Sequence, residues 1–251
     1  MEWHIGAFLL AMARFAPLLM VSVLAPFAWV PPSVRVVVLL AISLLAVGTV
    51  ASPTPLPGLD APASLLLSMA GESVFGLAFG LAVVLPAAAL GFSARVVDMQ
   101  SGVAAASLFN PATHLTEALA GTVVQWAGSM VFFMSGMHLV LLRGLVASIN
   151  LVPLGDGRML MEPSTFVTLL SSQFLLGLMV SAPVILGLFA IDLAVAYASR
   201  SMPQANVYFV ALPLKVAATF VLLAGSLRFA PPLIERLYAN AFEALPVWGG
   251  R

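Results

Sequence analysis

Residues 61–92 read APASLLLSMAGESVFGLAFGLAVVLPAAALGF, and this run of 32 positions contains a single charged side chain, Glu72. A helix needs roughly 20 mainly apolar residues to cross the hydrocarbon core of a bilayer, so the run is long enough to do so. Its glycines recur at spacings that suit close contact between helices. We therefore predict a membrane-type helix here, with a kink or a break near Pro86.

Similar apolar runs occupy almost the whole chain. We distinguish about six of them, at residues 4–26, 32–51, 61–92, 115–147, 164–197 and 204–240. Every backbone amide in hydrocarbon must find an internal partner, which leaves helices and closed barrels as the spanning forms. Continuous apolar runs lack the alternation of barrel strands. The predicted fold class is therefore all-α, a polytopic membrane-class protein of about six long, partly broken apolar helices.

Proline and glycine mark the expected interruptions of these helices. Residues 52–58 contain three prolines, which lack an amide donor and restrict the preceding residue. Residues 150–157 are rich in turn-forming side chains. Pro183 interrupts the fifth run, and Gly225 and Pro231 are expected to break the sixth. The first run starts within four residues of Met1 without a basic leader, so we expect it to be retained.

The composition excludes several classes of function. Of the 251 residues, 62% are hydrophobic and only 8% are charged, against roughly a quarter in an average soluble domain. Lipid or partner subunits must therefore cover much of the surface. The formal net charge is zero, which argues against a nucleic-acid partner. The absence of cysteine excludes disulfides, thiolate catalysis and thiolate metal ligands.

Charged side chains inside apolar runs are candidates for function, because each costs roughly 2.5 to 3.5 kcal/mol at mid-helix. Asp192 lies near the end of the fifth run and Lys215 near the start of the sixth, so they are candidates for an intramembrane ion pair. A structural pair is the favoured interpretation, and a proton relay or substrate site is the alternative. The other candidates are Arg14, Glu72 and Arg143.

No catalytic or cofactor motif is recognisable. The three histidines are scattered, and His114 with Glu117 lacks the second histidine that a zinc-peptidase motif requires. No glycine-rich nucleotide loop follows a strand. We therefore expect a protein that is not an enzyme and needs neither a metal nor another cofactor.

Residues 98–117 read DMQSGVAAASLFNPATHLTE and separate two strongly apolar runs. The stretch contains small residues and is interrupted at Asn110 and Pro111. Irregular backbone at membrane depth is tolerated where protein buries it or where it lines a wet cavity. The stretch is therefore a candidate pore loop or plug, and an ordinary surface connection remains the alternative.

Several motifs together resemble the FliR/SctT family of type III secretion export-apparatus proteins. They include ARFAPLL at 13–19, VPPSVRV at 30–36, GESVFGLAFG at 71–80, and GMHL at 136–139 leading to NLVPLG at 150–155. The most specific is SMPQANVYFVALPLK at 201–215. The motif positions to which the resemblance assigns a structural role are Arg14, Pro203, Gln204, Asn206 and Pro213.

The resemblance implies one export-gate domain over residues 1–251, made of helical hairpins. It implies assembly with FliP-like and FliQ-like subunits, beside FlhB-like and FlhA-like proteins, in the bacterial inner membrane at the flagellar basal body, with part above the membrane plane. Unfolded flagellar proteins would be the transported substrates. The motif at 30–36 favours the flagellar branch; an injectisome homologue is the alternative, since Asp98 and the Ser101-Gly102 pair fit neither branch fully.

By resemblance, residues 102–117 match the region that plugs the closed channel. A seal that opens without covalent chemistry suits small, apolar and flexible residues. The expected turn of the plug is Phe109, Asn110 and Pro111, with Gly102 as a hinge. The full set of plug or gate candidates is Gly102, Ala105, Ser107, Leu108, Phe109, Asn110 and Pro111.

Two rival functions are less consistent with the sequence. A small-solute secondary transporter should show repeats with interrupted helices at corresponding positions, and we find no such correspondence. An intramembrane enzyme would need a polar cluster on facing helices. The charges within the apolar runs are instead single and widely spaced.

Overall fold

A computed structural model of the chain describes residues 2–20, 30–49, 62–102, 119–155, 163–202 and 207–245. These residues form helices and the short turns between them, without a strand in the described ranges. The all-α membrane-class fold is thus confirmed. The helices are α1 (Glu2–Met20), α2 (Pro32–Thr49), α3 (Pro62–Ser101), α4 (Leu119–Met134), α5 (Met137–Leu151), α6 (Pro163–Ser201), α7 (Val207–Leu227) and α8 (Ala230–Glu243).

Among the helices that the structure describes, fewer are long enough to span a membrane than the six apolar runs predict. Within the described ranges, α3, α6 and α7 meet the requirement in length and composition. The pair α4 and α5 meets it only if the two are taken as one span bent by 62°. The apolar parts of α1 and α2, Ile5–Met20 and Pro32–Gly48, fall short of it.

Helix α3 differs from prediction because it continues without a break to Ser101. Pro86 lies inside it. A proline within a helix removes one hydrogen bond, and in an apolar setting the rest of the helical ladder is still the best way to pair the backbone. Pro183 lies inside α6 in the same way. The expected interruption at Pro183 and a break at Pro86 are therefore wrong, and the kink predicted as the alternative at Pro86 stays a prediction.

The run at 115–147 is not one helix, because the chain bends between α4 and α5. Gly136 has φ 74°, a left-handed conformation that costs glycine little. Its amide donates to the carbonyl of Phe133 at 3.2 Å, and its carbonyl accepts from Leu139 at 2.9 Å. The bend was missed in the sequence. The predicted break in the last run is present, between α7 and α8.

The chain divides into two compact units. Unit 1 comprises Met1–Leu85, Phe133–Leu170 and Tyr238–Arg251. It buries large side chains such as Phe15, Phe79 and Leu145. Unit 2 comprises Pro86–Phe132 and Ser171–Leu237. Its buried side chains include Leu90, Phe132 and Leu188.

Glycine allows close helix contact in unit 1, where α3 packs on α1. A Cβ atom on Gly76 would collide with the backbone carbonyl of Arg14, and one on Gly80 would lie 3.5 Å from the carbonyl of Pro17. Backbone cannot yield as a flexible side chain can. The close approach of α1 and α3 at Gly76 therefore depends on the missing side chain.

The apolar helices differ in how far the chain covers them. About two thirds of the most apolar window of α3 is buried (67%), whereas only 28% is buried in α6 and in α7. The exposed side chains of these two helices include Leu186, Phe189, Leu193, Val210, Leu214 and Val221. Such a surface requires lipid or protein around it.

Candidate functional site

Arg14 is the most deeply buried cation among the described residues, with 1% of its surface exposed. Its Nε donates to Oε2 of Glu72 at 2.5 Å. Its Nη1 donates to the carbonyls of Ser148 at 3.1 Å and Val152 at 2.9 Å. The guanidinium carbon lies 4.7 Å from the ring centre of Phe75. One side chain thus joins α1, α3 and the end of α5 within unit 1.

Glu72 completes this cluster. It is also 1% exposed, and its second oxygen, Oε1, accepts the amide of Gly155 at 2.7 Å. The Ser148 carbonyl also accepts the amide of Val152 at 2.9 Å, whereas Val152 follows the last residue of α5, where helix carbonyls lack a partner in their own helix. Arg14 thus supplies a donor at the end of α5. A buried ion pair is tolerated where further hydrogen bonds satisfy both partners, and this cluster meets that requirement. Its polar groups hold the helices together.

The structure brings Asp192 and Lys215 together, the two residues paired on sequence grounds. Lys215 Nζ lies 2.6 Å from Asp192 Oδ1, joining α6 and α7 in unit 2. The lysine side chain is 11% exposed and the aspartate side chain 45%. Pro213 lies within α7, two residues before Lys215. The motif residues Pro203, Gln204 and Asn206 lie outside the described residues.

Of the candidate plug residues, the structure describes Gly102. Ala105, Ser107, Leu108, Phe109, Asn110 and Pro111 lie outside the described residues. Gly102 is described, directly after the end of α3, and has φ 78°. Any other residue would be strained there, and a Cβ would lie 2.8 Å from Cδ2 of Leu212. Gly102 therefore supplies the left-handed turn in which α3 ends.

Asp98 links the two helices that flank the plug candidates. It is 3% exposed. Its Oδ1 accepts the amide of Ala120 at 3.2 Å, and its Oδ2 accepts the amide of Gly121 at 3.0 Å. These amides belong to the first turn of α4, where backbone donors lack intrahelical partners and a negative charge is favourable. Sequence reasoning missed this contact, because nothing local signals a cap supplied from another helix.

The buried carboxylates of the described residues contact cations and backbone groups of neighbouring helices. No group of three or more histidine, aspartate or glutamate side chains in the described part of the chain is arranged to hold an ion. The buried charges are instead engaged with each other and with backbone groups. Such contacts position helices.

The model of the family "Bacterial export proteins, family 1" matches residues 5–241 of this chain. The chain belongs to this family. The match extends from α1 to α8 and includes residues of both units. The resemblance inferred from the motifs is thereby confirmed.

Similar proteins include flagellar biosynthetic proteins and a Yop proteins translocation protein. The flagellar biosynthetic protein FliR of Bacillus subtilis (strain 168) is 24% identical over 243 residues, which cover 95% of this chain and 93% of that protein. FliR of Escherichia coli (strain K12) is 25% identical over 69% of this chain and 67% of its own. The Yop proteins translocation protein T of Yersinia pestis is 29% identical over 64% and 62%, respectively. The prediction of an export-apparatus subunit is confirmed.

Proposed function

We propose that this chain is a structural subunit of the flagellar type III export gate, through which unfolded flagellar proteins cross the inner membrane. The observation that carries the flagellar assignment is the similarity to FliR of Bacillus subtilis along 95% of this chain and 93% of that protein. The similarity to the Yersinia translocation protein covers 64% of the chain. An injectisome gate is therefore the second candidate.

The proposed partners are FliP-like and FliQ-like gate subunits, with FlhB-like and FlhA-like proteins as neighbours. The apolar surface of α6 and α7 supports this assignment, because it needs cover that the chain does not supply. Lipid would cover the remainder of the apolar surface. We place the gate at the flagellar basal body, with part of the chain above the membrane plane and residues 1–251 acting as one functional domain.

A structural role, without catalysis or a cofactor, is supported by the way in which the buried charges are used. Both oxygens of Glu72 and both oxygens of Asp98 accept hydrogen bonds from other parts of the chain. General acid–base catalysis requires a group within reach of a proton on the substrate. These carboxylates are committed to internal partners.

We assign the closed-channel plug to the segment at 102–117. Residues 104–109 are small or apolar, as a hydrophobic seal requires. The left-handed Gly102 supports a change of chain direction where the segment begins. Phe109, Asn110 and Pro111 form its proposed turn.

Loss of the gene tests the flagellar assignment. In the organism that encodes this chain, we expect a deletion strain to be non-motile and to release no hook or filament proteins into the medium, because export precedes assembly. Immunoblots of culture supernatants measure the effect, and the wild-type gene supplied in trans is the control. Normal flagellar secretion with loss of effector secretion would instead favour the injectisome gate.

A further inference from the structure

The ion pair of α6 and α7 has one side that these helices do not cover. Lys215 contacts Oδ1 of Asp192, and the lysine side chain is 11% exposed, whereas the aspartate side chain is 45% exposed. No described residue forms a hydrogen bond with the second carboxylate oxygen, Oδ2. The cation is thus enclosed within unit 2, and the carboxylate presents an oxygen at the surface of that unit.

The side chains next to this oxygen are apolar. Phe189 lies three residues before Asp192, and therefore on the same side of α6, and it is 53% exposed. Leu193 follows Asp192 and is 57% exposed, and on α7 the residue before the lysine, Leu214, is 61% exposed. Asp192 therefore places a polar atom in a surface that is otherwise hydrophobic.

Both charges lie inside helices that are long and apolar enough to cross a membrane, over the ranges Phe166–Ser201 and Phe209–Leu227. Asp192 is about 13 Å before the end of the first range, at the helical rise of about 1.5 Å per residue. A lysine can extend that far toward the headgroups along its long stem, but an aspartate cannot. A carboxylate oxygen that faces hydrocarbon is costly. Lipid chains alone are therefore an unfavourable cover for this part of the surface.

The charge of the pair restricts which donor can cover it. Asp192 and Lys215 together carry no net charge, so a second cation would leave one positive charge uncompensated in an apolar setting. The amide of Asn or Gln, or the hydroxyl of Ser or Thr, donates a hydrogen bond without adding charge. Side chains of these types form hydrogen bonds between helices in membranes.

We propose that the Asp192–Lys215 pair is the docking point for a helix of a different gate subunit. That helix donates to Oδ2 from an uncharged Asn, Gln, Ser or Thr side chain and packs apolar side chains against Phe189, Leu193 and Leu214. The presence of a neighbouring subunit rests on the proposed function, whereas the chemistry of the donor rests on the pair. Loss of the pair weakens the binding of that subunit even when the chain itself stays folded.

Replacement of both charges separates docking from internal pairing. Asp192→Leu combined with Lys215→Met leaves no buried charge without a partner, so the packing of α6 on α7 is preserved. The amount of chain in the membrane measures folding. The amount of FliP-like and FliQ-like subunits recovered through a tag on the chain, in mild detergent, measures docking. The control is Ser93→Ala combined with Ser181→Ala, which removes a buried polar contact inside unit 2.

We expect the variant without the two charges to accumulate as the wild type does and to recover at least about fivefold less of the neighbouring subunits, because a hydrogen bond across the interface is lost. The serine control should recover as much as the wild type. Full recovery by the variant without the charges would overturn the docking point, since the pair would then serve only the packing of the chain itself. If that variant does not accumulate, cross-linking decides.

A photo-cross-linker identifies the occupant while both charges are in place. Phe189 or Leu193 is replaced by p-benzoylphenylalanine, and both positions are exposed, so the packing of the chain is not disturbed. Mass spectrometry of cross-linked membranes should identify a helix of a FliP-like or FliQ-like subunit with an uncharged donor within one turn of the cross-linked residue. Cross-links to lipid alone, to a second copy of this chain, or to a helix whose only nearby donors are Lys or Arg would overturn the proposal.

The docking point and the proposed function fail in different ways. Cross-links to lipid alone, in a strain whose flagellar secretion requires the chain, would refute the docking point and leave the proposed function intact. A cross-link to a donor-bearing helix of another gate subunit, in a strain whose flagellar secretion does not require the chain, would support the docking point and refute the flagellar assignment.

Discussion

Deletion of residues 105–111 is expected to make resting membranes leaky to small ions while the gate complex still assembles. The segment contributes the small and apolar side chains that we assign to the seal, whereas the contacts of Arg14, Asp98 and Lys215 all lie outside it. A hydrophobic constriction blocks ions by excluding water, so its removal should raise conductance by at least about tenfold. Conductance of the purified complex in planar bilayers measures this effect.

A replacement of equal length controls for the shortened chain. Seven Gly and Ser residues in place of 105–111 preserve the connection and remove the side chains, and we expect this variant to leak as well. The same replacement at residues 156–162, between α5 and α6, should leave the membrane tight. Unchanged conductance in both variants of residues 105–111 would contradict the plug assignment.

Arg14→Ala is expected to cause the largest loss of stability of any single substitution in unit 1. It leaves the carboxylate of Glu72 buried without its cation, and it leaves the carbonyl of Val152 without the donor that Arg14 provides. Breaking a buried ion pair by removing one partner costs about 3–5 kcal/mol. This is a large share of the roughly 5–15 kcal/mol that holds a typical domain folded. Thermal unfolding in detergent and the yield of assembled complex measure the loss.

Two other arginine variants make this prediction specific. Arg14→Lys keeps the charge but loses the planar fork that reaches Glu72 and two carbonyls at once, so we expect an intermediate loss. Arg35→Ala changes a half-buried arginine of α2 that donates to the carbonyl of Val30 at 2.9 Å, and we expect it to lower stability far less. Equal unfolding midpoints for Arg14→Ala and Arg35→Ala would show that the buried cluster contributes little.

Much of the fold could be predicted because apolar length and helix formation are linked in a membrane setting. The six apolar runs locate every described helix, and the break between α7 and α8 lies close to where Gly225 and Pro231 indicated it. The exceptions arise at single proline and glycine residues, each of which can either lie within an intact helix or change the direction of the chain. Pro86 lies within an intact helix, whereas Gly136 bends the chain by adopting a positive φ. The residues next to Pro86 and Gly136 in the sequence do not determine which of the two conformations forms.

The candidate site was less predictable, because it consists of contacts between distant residues. Arg14 and Glu72 are 58 positions apart, and the sequence identified each as an isolated charge. Asp192 and Lys215 could be paired in advance because consecutive helices bring their adjoining ends together. Asp98 was noted only for its departure from a motif. Its role as a cap for α4 depends on how α3 and α4 pack.

Co-purification through a tag on this chain tests the central claim most directly. After extraction in mild detergent, native mass spectrometry should find the chain in a complex of fixed stoichiometry with two other small apolar membrane proteins, the FliP-like and FliQ-like subunits. A chain that purifies alone, soluble and monodisperse without detergent or lipid, would contradict the proposal that it is built into an export gate.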